Sequence, residues 1–255
     1  MVAGVAAGLL FVAACSSSRA HTAAPAQTIQ TGMLLSCSDG GATFPPSALR
    51  SSPTADQGNS EIAVALRQVL ATSPAVATAG STPHGWRQLY DTGTRAGFLS
   101  TPTDAMPGGL LIELSKDRGT WRFFSSGTCT RDVARPGLVN ASWAVDPAHG
   151  IPKPTDTQVH IAVQDLECND GRALTLDRIH PPVIGWTNRA VTVAIYLTPV
   201  KGMHTCPGPA APAGQPSIDG LAAVAYTVDL GQPLGRRQLL DGTRYPPRPA
   251  ALATR

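Results

Sequence analysis

The chain has 255 residues, of which 42% are hydrophobic and 15% are charged, and its 20 basic and 17 acidic side chains give a formal net charge of +3. This composition excludes an intrinsically disordered protein, a coiled coil and a collagen. So mild a charge also excludes a dedicated nucleic-acid binder, which needs a concentrated basic face. The length suits one large domain or two small ones, and composition assigns no activity.

An uninterrupted apolar run extends from Val2 to Ala14. It is too short to span a hydrocarbon core of ~30 Å but has the length typical of a secretory signal peptide. The run ends in Val12-Ala13-Ala14-Cys15, which resembles the lipobox of bacterial lipoproteins. In that motif small residues let the peptidase approach the backbone, and the cysteine sulfur receives the diacylglyceryl group. We therefore expect a signal peptide over residues 1–14 and lipid attachment at Cys15.

The predicted signal departs from the usual pattern because no Lys or Arg precedes the apolar run. An upstream start codon or a weak signal would explain this, and we favour the upstream start. Two or three acyl chains, palmitate among them, would hold the protein at the membrane, since each buried methylene contributes ~0.8 kcal/mol. The expected location is the extracytoplasmic face of the cell membrane. There are two alternatives: a secreted form without lipid, and a buried helix in which Cys15 is a core thiol.

Four cysteines remain once Cys15 is set aside, namely Cys37, Cys129, Cys168 and Cys206. An even number in an exported chain predicts two disulfides. Chain order favours Cys37–Cys129 and Cys168–Cys206, one bridge in each half. The alternative, four free thiols, conflicts with export. No Cys-x-x-Cys is present, so nothing supports a thioredoxin-like redox role.

The first half begins with a predicted tether over residues 15–31, which are rich in Ser, Thr, Ala and Gln. Met33–Cys37 then predicts a short strand, and the proline-bearing stretch Phe44–Gly58 predicts irregular structure. One helix follows, with Asn59 or Ser60 as its cap and a proline after Ser73 as its end. Its apolar stripe consists of Ile62, Leu66, Val69 and Leu70.

Strand patterns dominate after the helix. Two hairpins are predicted, Trp86–Tyr90 with Ala96–Ser100 and Gly109–Ser115 with Thr120–Ser126. The second half is predicted to be almost wholly β, over Val139–Val145, Gln158–Cys168, Ala173–Ile179, Ala190–Leu197, Leu221–Leu230 and Gln238–Leu240. The near-continuous apolar run Ala190–Leu197 is typical of a central strand buried on both faces.

The expected fold class is mainly β with one short helix, either sandwich-like or as α+β lobes, and stapled by disulfides. We predict an α+β lobe over residues 32–135 and an all-β lobe over residues 138–250.

The second half also resembles a pattern associated with uncharacterised secreted actinobacterial lipoproteins. The matching segments are Gly185-Trp186, Val191–Leu197, Thr205-Cys206-Pro207, Val228-Asp229-Leu230 and Pro233–Gly242. The resemblance implies an exported lipoprotein and supplies no activity.

Sequence motifs for catalysis are weak. The chain has no G-x-S-x-G elbow and no His-x-x-x-His, and its six histidines are scattered. Asp165 and Glu167 share one strand face at a spacing that an inverting glycosidase could use, although solvated acids are the more common finding there. Four tryptophans could form a sugar-stacking platform or pack in cores, and core packing is favoured: Trp86, Trp121, Trp143 and Trp186. No metal or cofactor is predicted.

We therefore expect a lipid-anchored extracytoplasmic protein that binds an unknown envelope ligand or protein without catalysis and does not bind nucleic acid. The alternative is a secreted hydrolase whose catalytic residues converge only in the fold. A pocket that places His160 or His180 against a carboxylate and a serine would favour the hydrolase, and a groove lined by tryptophans would favour binding. A structural or assembly subunit, marked by a large exposed apolar patch, is a third possibility.

Overall fold

The computed structural model describes residues 33–37, 41–55, 58–72, 85–102, 108–165, 173–200, 215–218 and 221–254. The predicted signal peptide, the tether, Cys15, Cys168 and Cys206 lie outside these residues. Over the described residues the chain is mainly β, which confirms the predicted fold class. In the same ranges, no helix has both the length and the apolar character needed to cross a membrane.

The described part of the first half joins a small helical layer to a β-sheet. Its elements are β1 (Leu34–Ser36), α1 (Ala48–Ser51), α2 (Glu61–Thr72), β2 (Arg87–Asp91), β3 (Arg95–Leu99), β4 (Leu110–Asp117), β5 (Thr120–Thr128) and β6 (Asp132–Ala134). Strands β2 to β5 form an antiparallel sheet in chain order, as two consecutive hairpins require. The short strands β1 and β6 pair antiparallel beside it.

Helix α2 forms as predicted. The Ser60 hydroxyl accepts a hydrogen bond from the backbone N–H of Ala63 at 3.2 Å, which caps the first turn. Ile62, Leu66 and Leu70 are buried and share a core cluster with the sheet. Helix α1 lies inside a stretch predicted to be irregular. It is a single turn without apolar periodicity, so no pattern in the sequence indicates it.

The loop between β4 and β5 has two residues, because Asp117 pairs with Thr120, whereas the predicted strands left four residues between them. Arg118 and Gly119 both have positive φ, at 48° and 85°, so they form a two-residue connection of the type that matches strand twist. Further along, Leu114 pairs with Phe123 and Glu113 with Ser125, which leaves Phe124 as an extra residue on β5. This bulge interrupts the regular alternation of side chains between the two faces of β5.

The described part of the second half contains two four-stranded sheets and a small strand pair. Its strands are β7 (Val139–Val145), β8 (Gln158–Asp165), β9 (Val183–Trp186), β10 (Ala190–Ala194), β11 (Tyr196–Leu197), β12 (Ser217–Ile218), β13 (Leu221–Ala222), β14 (Val224–Asp229), β15 (Gln238–Asp241) and β16 (Arg248–Pro249). The sheet orders are β11-β7-β8-β14 and β16-β15-β10-β9, with β12 and β13 as the separate pair. One core cluster combines Trp143 and Val163 of the first sheet with Val191 and Val193 of the second, so the two sheets pack as a sandwich.

Three predictions for this half are wrong in detail. The predicted strand Leu221–Leu230 is divided at Ala223 into β13 and β14, which belong to different sheets. The apolar run Ala190–Leu197 is buried as expected, but it is not one strand, because the chain bends at Ile195 and passes from one sheet to the other. The segment Ala173–Ile179 contains a 3₁₀ turn at Leu176–Arg178 where a strand was expected. An apolar run indicates burial, whereas the bend depends on which sheet each end meets.

The predicted bridge between Cys37 and Cys129 is present, with the two Cα atoms 4.4 Å apart. It joins the residue after β1 to the residue after β5. Both sulfur atoms belong to a buried cluster that contains Leu35, Phe44 and Leu99. The bridge therefore ties the β1–β6 pair to the larger sheet.

A C-terminal segment of the second half contacts the first half directly. The backbone N–H of Val133 donates to Thr243 at 2.8 Å, and that of Tyr245 donates to Arg131 at 2.8 Å. Between these contacts the Arg244 guanidinium forms an ion pair with the buried carboxylate of Asp132. Backbone and charge contacts thus connect the two predicted lobes.

Candidate functional site

A cavity of about 500 Å³ lies where the β1–β6 pair meets the start of β7. Both halves of the chain contribute walls. Its described lining consists of Leu34, Ser36, Gly41, Thr43, Ala134, Arg135, Pro136, Gly137, Leu138, Val139, Asn140 and Pro199. Most of these side chains are apolar, with a small number of polar groups among them, which is the usual composition of a ligand pocket.

Strand alternation explains the first wall. Leu35 points into the buried cluster around the disulfide, so its neighbours Leu34 and Ser36 face the cavity. A turn then leads from β6 into β7, closed by a 3.1 Å hydrogen bond from the N–H of Leu138 to the carbonyl of Arg135. Gly137 has a φ of +75° in this turn, a conformation that side chains disfavour.

Asn140 forms the second wall. Val139 and Ala141 pack in the sandwich core, so Asn140 faces the opposite side of β7, beside its cross-strand partner Tyr196. The residue is only 5% exposed and lines the cavity. Ser36 is 4% exposed and lines the cavity from β1. These two residues place polar side chains at the cavity wall, although among the described residues the buried side-chain polar atom without a hydrogen-bond partner is the Thr54 hydroxyl, outside the cavity.

Arg135 is the one charged side chain among the described lining residues. Its guanidinium lies 5.3 Å from the centre of the Tyr196 ring. Burial raises the pKa of Tyr196 to about 12, and the positive charge of Arg135 opposes part of that rise. The Tyr196 hydroxyl donates to the carbonyl of Val133 at 3.4 Å, which links β11 to β6 beside the cavity.

A half-buried carboxylate lies at the end of β15, at Asp241. One oxygen of its carboxylate accepts hydrogen bonds from Trp143 at 3.1 Å, from the Thr243 hydroxyl at 2.6 Å and from the Thr243 N–H at 2.9 Å. Burial raises the pKa of Asp241 above its ordinary value of 3.8, although these donors and the charge of Arg244 oppose the rise. The folded state therefore holds the Asp241 proton more tightly than the unfolded chain does.

We predict that the wild type gains stability relative to the Asp241→Asn variant as the pH falls from neutral to below 3.8. The sign follows because a group that binds its proton more tightly when folded favours the folded state at low pH. Urea unfolding of both proteins across this pH range measures the gain. Asp229→Asn is the matched control, since the exposed Asp229 also accepts a backbone N–H two residues on. A smaller gain for the Asp241 pair than for the Asp229 pair would contradict the prediction.

The four tryptophans do not form a common platform. Trp86 and Trp143 are 1% and 3% exposed and lie in different core clusters, so core packing is confirmed for both. Trp121 and Trp186 are half-buried, and each lies beneath a cation, Lys116 at 5.6 Å and Arg237 at 5.2 Å.

His160 and His180, the two histidines considered for catalysis, each share a hydrogen bond with a threonine hydroxyl and not with a carboxylate. His160 shares a 3.0 Å hydrogen bond with Thr227 and stacks on His149, with ring centres 4.1 Å apart. His180 pairs with Thr198 at 3.0 Å. Asp165 forms an ion pair with Arg178, while its proposed partner Glu167 lies outside the described residues. Within the described ranges, no three His, Cys, Asp or Glu side chains are grouped as a metal site would need.

The structure brings together one polar trio that sequence reasoning missed. The Ser125 hydroxyl donates to one oxygen of Glu113 at 2.6 Å, and the Tyr90 hydroxyl donates to the other. Burial and the neighbouring carboxylate raise the pKa of Tyr90. The three residues come from β2, β4 and β5, so only the strand register places them together. The tyrosine ring lies over Gly97 of β3, where an added Cβ would be 2.3 Å from a ring carbon.

Gly97→Ala is expected to lower the free energy of unfolding by about 1–3 kcal/mol, as other insertions into packed sites do. The methyl group would displace the Tyr90 ring and break its hydrogen bond to Glu113. Gly127→Ala on β5 is the matched control because its Cβ would meet nothing within 4 Å. Urea unfolding of the two variants tests this, and equal stabilities would contradict it.

Fold and cavity together define a disulfide-bonded β protein with a mostly apolar cavity between its two halves. Comparison with protein-family models, with curated protein sequences and with solved structures finds no match to this chain.

Proposed function

We propose that this protein binds a small ligand in the cavity between the β1–β6 pair and β7. The observation that carries the proposal is the cavity itself, whose mostly apolar described lining includes the polar side chains of Ser36 and Asn140. The cavity volume of about 500 Å³ falls within the range of ~300–1,000 Å³ usual for ligand sites. Its walls come from both halves of the chain, and junctions of this kind are common ligand sites.

We also propose that the protein is a lipoprotein held by acyl chains on Cys15 at the extracytoplasmic face of the membrane. The Cys37–Cys129 bridge supports an oxidising compartment, since disulfides are rare in reducing ones. Fractionation of cells that express Cys15→Ser tests the anchor, with the variant expected to leave the membrane fraction. Unchanged membrane association, or a mass spectrum of wild-type protein without acyl chains, would refute it.

Ligand binding is tested with N-phenyl-1-naphthylamine, a neutral apolar dye that fluoresces in apolar sites. We expect saturable one-to-one binding to the full chain. Ala134→Trp would fill the cavity from β6 and abolish the binding. Ala225→Trp, at an exposed position on β14, is the matched control and should leave it intact. Absence of saturable binding, or equal binding by the two variants, would refute the cavity as the site.

The Ser125–Glu113–Tyr90 trio favours one second candidate function, the secreted hydrolase. A serine that donates to a carboxylate whose other oxygen is held by a third group has the arrangement of a nucleophile, a base and an orienting residue. Labelling with a fluorophosphonate tests this candidate. Loss of label in Ser125→Ala but not in Ser126→Ala would support it, and equal label or no label in both would exclude it.

A further inference from the structure

A second cavity, of about 430 Å³, lies at the opposite end of β7 from the cavity between the β1–β6 pair and β7. Val159 and Ile161 of β8 pack in the sandwich core, so Gln158 and His160 face outward into this second cavity. The segment 147–157, which connects β7 to β8, forms the rest of its described wall. The two cavities share no described lining residue.

Backbone hydrogen bonds fix the connecting segment against its surroundings. The N–H of Asp146 donates to the carbonyl of His160 at 3.0 Å, and the N–H of His149 donates to the carbonyl of Asp146 at 3.2 Å. The imidazole of His149 is thereby held against that of His160, with ring centres 4.1 Å apart. Further along, the N–H of Leu234 donates to the carbonyl of Asp156 at 2.9 Å. A wall that is already ordered lowers the entropic cost of binding a ligand.

The lining of the second cavity is polar and carries charges of both signs. The ammonium of Lys153 only donates hydrogen bonds, and the carboxylate of Asp156 only accepts them. The Gln158 amide and the Thr155 hydroxyl do both. A hydroxyl group also donates and accepts at once, so a ligand with several hydroxyls can pair with every one of these groups. A simple anion would meet the carboxylate, and a simple cation would meet the ammonium.

Three further side chains add surfaces for C–H groups at the same wall. The stacked imidazoles of His149 and His160 provide flat rings, and His149 is exposed. Ile151 is 72% exposed although it is aliphatic, and it lines the same cavity. A sugar ring combines hydroxyls at its edge with C–H groups on its faces, so its two kinds of surface match the two parts of this wall.

We propose that the second cavity binds a neutral carbohydrate of one or two rings. Gln158, Asp156 and Lys153 would pair with its hydroxyls, and His149 and Ile151 would contact the face of a ring. This site is separate from the apolar cavity, so the inference does not depend on the function proposed for that cavity.

Saturation-transfer difference NMR of the full chain at pH 7.5 tests the proposal with three disaccharides: maltose, cellobiose and lactose. At least one of them should give a difference signal that saturates with concentration. Inorganic phosphate and glycine, each added at the concentration of the sugar, should leave that signal unchanged. They serve as an anionic and a zwitterionic competitor.

Two variants connect the binding to the named residues. Gln158→Leu replaces the amide by an apolar group of similar size and should weaken sugar binding at least about threefold, since it removes hydrogen bonds to the ligand. Gln238→Leu, at an exposed glutamine of β15, is its matched control. His149→Ala removes one ring surface and should weaken binding to a similar extent, with His180→Ala as its control. Because His149 is exposed, its variant keeps the test decisive should Gln158→Leu fail to fold.

Saturable sugar binding that weakens in both cavity variants and not in their controls would support the proposal. Absence of a saturable signal from all three disaccharides would overturn it, and so would unchanged affinity in both cavity variants. Loss of the signal on adding phosphate or glycine would assign the cavity to an anion or to a zwitterion instead. Displacement of the sugar by N-phenyl-1-naphthylamine would place the sugar in the apolar cavity and would likewise overturn the proposal.

Discussion

Replacing Cys37 and Cys129 together by alanine is expected to lower the free energy of unfolding by about 2–5 kcal/mol. The two residues are 92 positions apart, and a cross-link of that span constrains the unfolded chain by about 4.6 kcal/mol in the chain-entropy treatment. Both residues are buried in the cluster with Leu35 and Phe44, so the change also removes packing there. Alanine is preferred to serine because it adds no hydroxyl to an apolar site.

Urea unfolding with and without dithiothreitol measures this effect. Dithiothreitol should lower the free energy of unfolding of the wild type. In the double variant, the part of this decrease that comes from reducing Cys37–Cys129 should be absent. Any response to dithiothreitol that persists in the double variant would report the second predicted bridge, Cys168–Cys206. A double variant within about 1 kcal/mol of the wild type would contradict a stabilising role for the Cys37–Cys129 bridge, since loss of a native bridge usually costs more.

Arg244→Met is expected to lower the free energy of unfolding by about 3–5 kcal/mol, because it leaves the carboxylate of Asp132 buried without its cation. The Asp132 side chain is 7% exposed and that of Arg244 is 23% exposed, so water can replace the lost partner only in part. The same pair lies between the backbone contacts that connect the two halves. Its loss should therefore loosen the junction next to the cavity.

A double-mutant cycle isolates this ion pair. Adding Asp132→Asn to Arg244→Met should recover part of the loss, since the unpaired charge is then gone. Arg236→Met is the matched control at another arginine. If the two single arginine variants have the same stability, or if Asp132→Asn makes the Arg244 variant worse, the pair does not stabilise the junction. Urea unfolding of the wild type, the Arg244→Met and Asp132→Asn single variants, the double variant and the Arg236→Met control provides these values.

Local patterns predicted the elements whose structure depends on near neighbours. Helix α2 is capped by Ser60, one of its two predicted caps, and the hairpins β2–β3 and β4–β5 form around the predicted turns. The Cys37–Cys129 pairing also followed from chain order, because the alternatives would cross between halves. Helix α1 was missed because a single turn has too few residues to show a period.

The candidate site depends on contacts between segments distant in sequence. Asn140 gives no signal in the sequence beyond a polar residue in an apolar strand. Its importance arises because β1 and β6, which are almost 100 positions apart, pair to form the facing wall. The Tyr90–Glu113–Ser125 trio likewise depends on the register of three strands, which a bulge at Phe124 shifts by one residue.

The amino-acid sequence by itself determined that this protein is mainly β, where helix α2 begins, and which residues are apolar enough to be buried. Each of these properties follows from periodicity and turn chemistry over a few residues. Only the tertiary structure decided that the run ending at Leu197 bends at Ile195 between two sheets, that Arg244 returns to Asp132, and that a cavity is left between the halves. The physical reason is that packing between distant segments selects among arrangements that local propensities leave equally favourable.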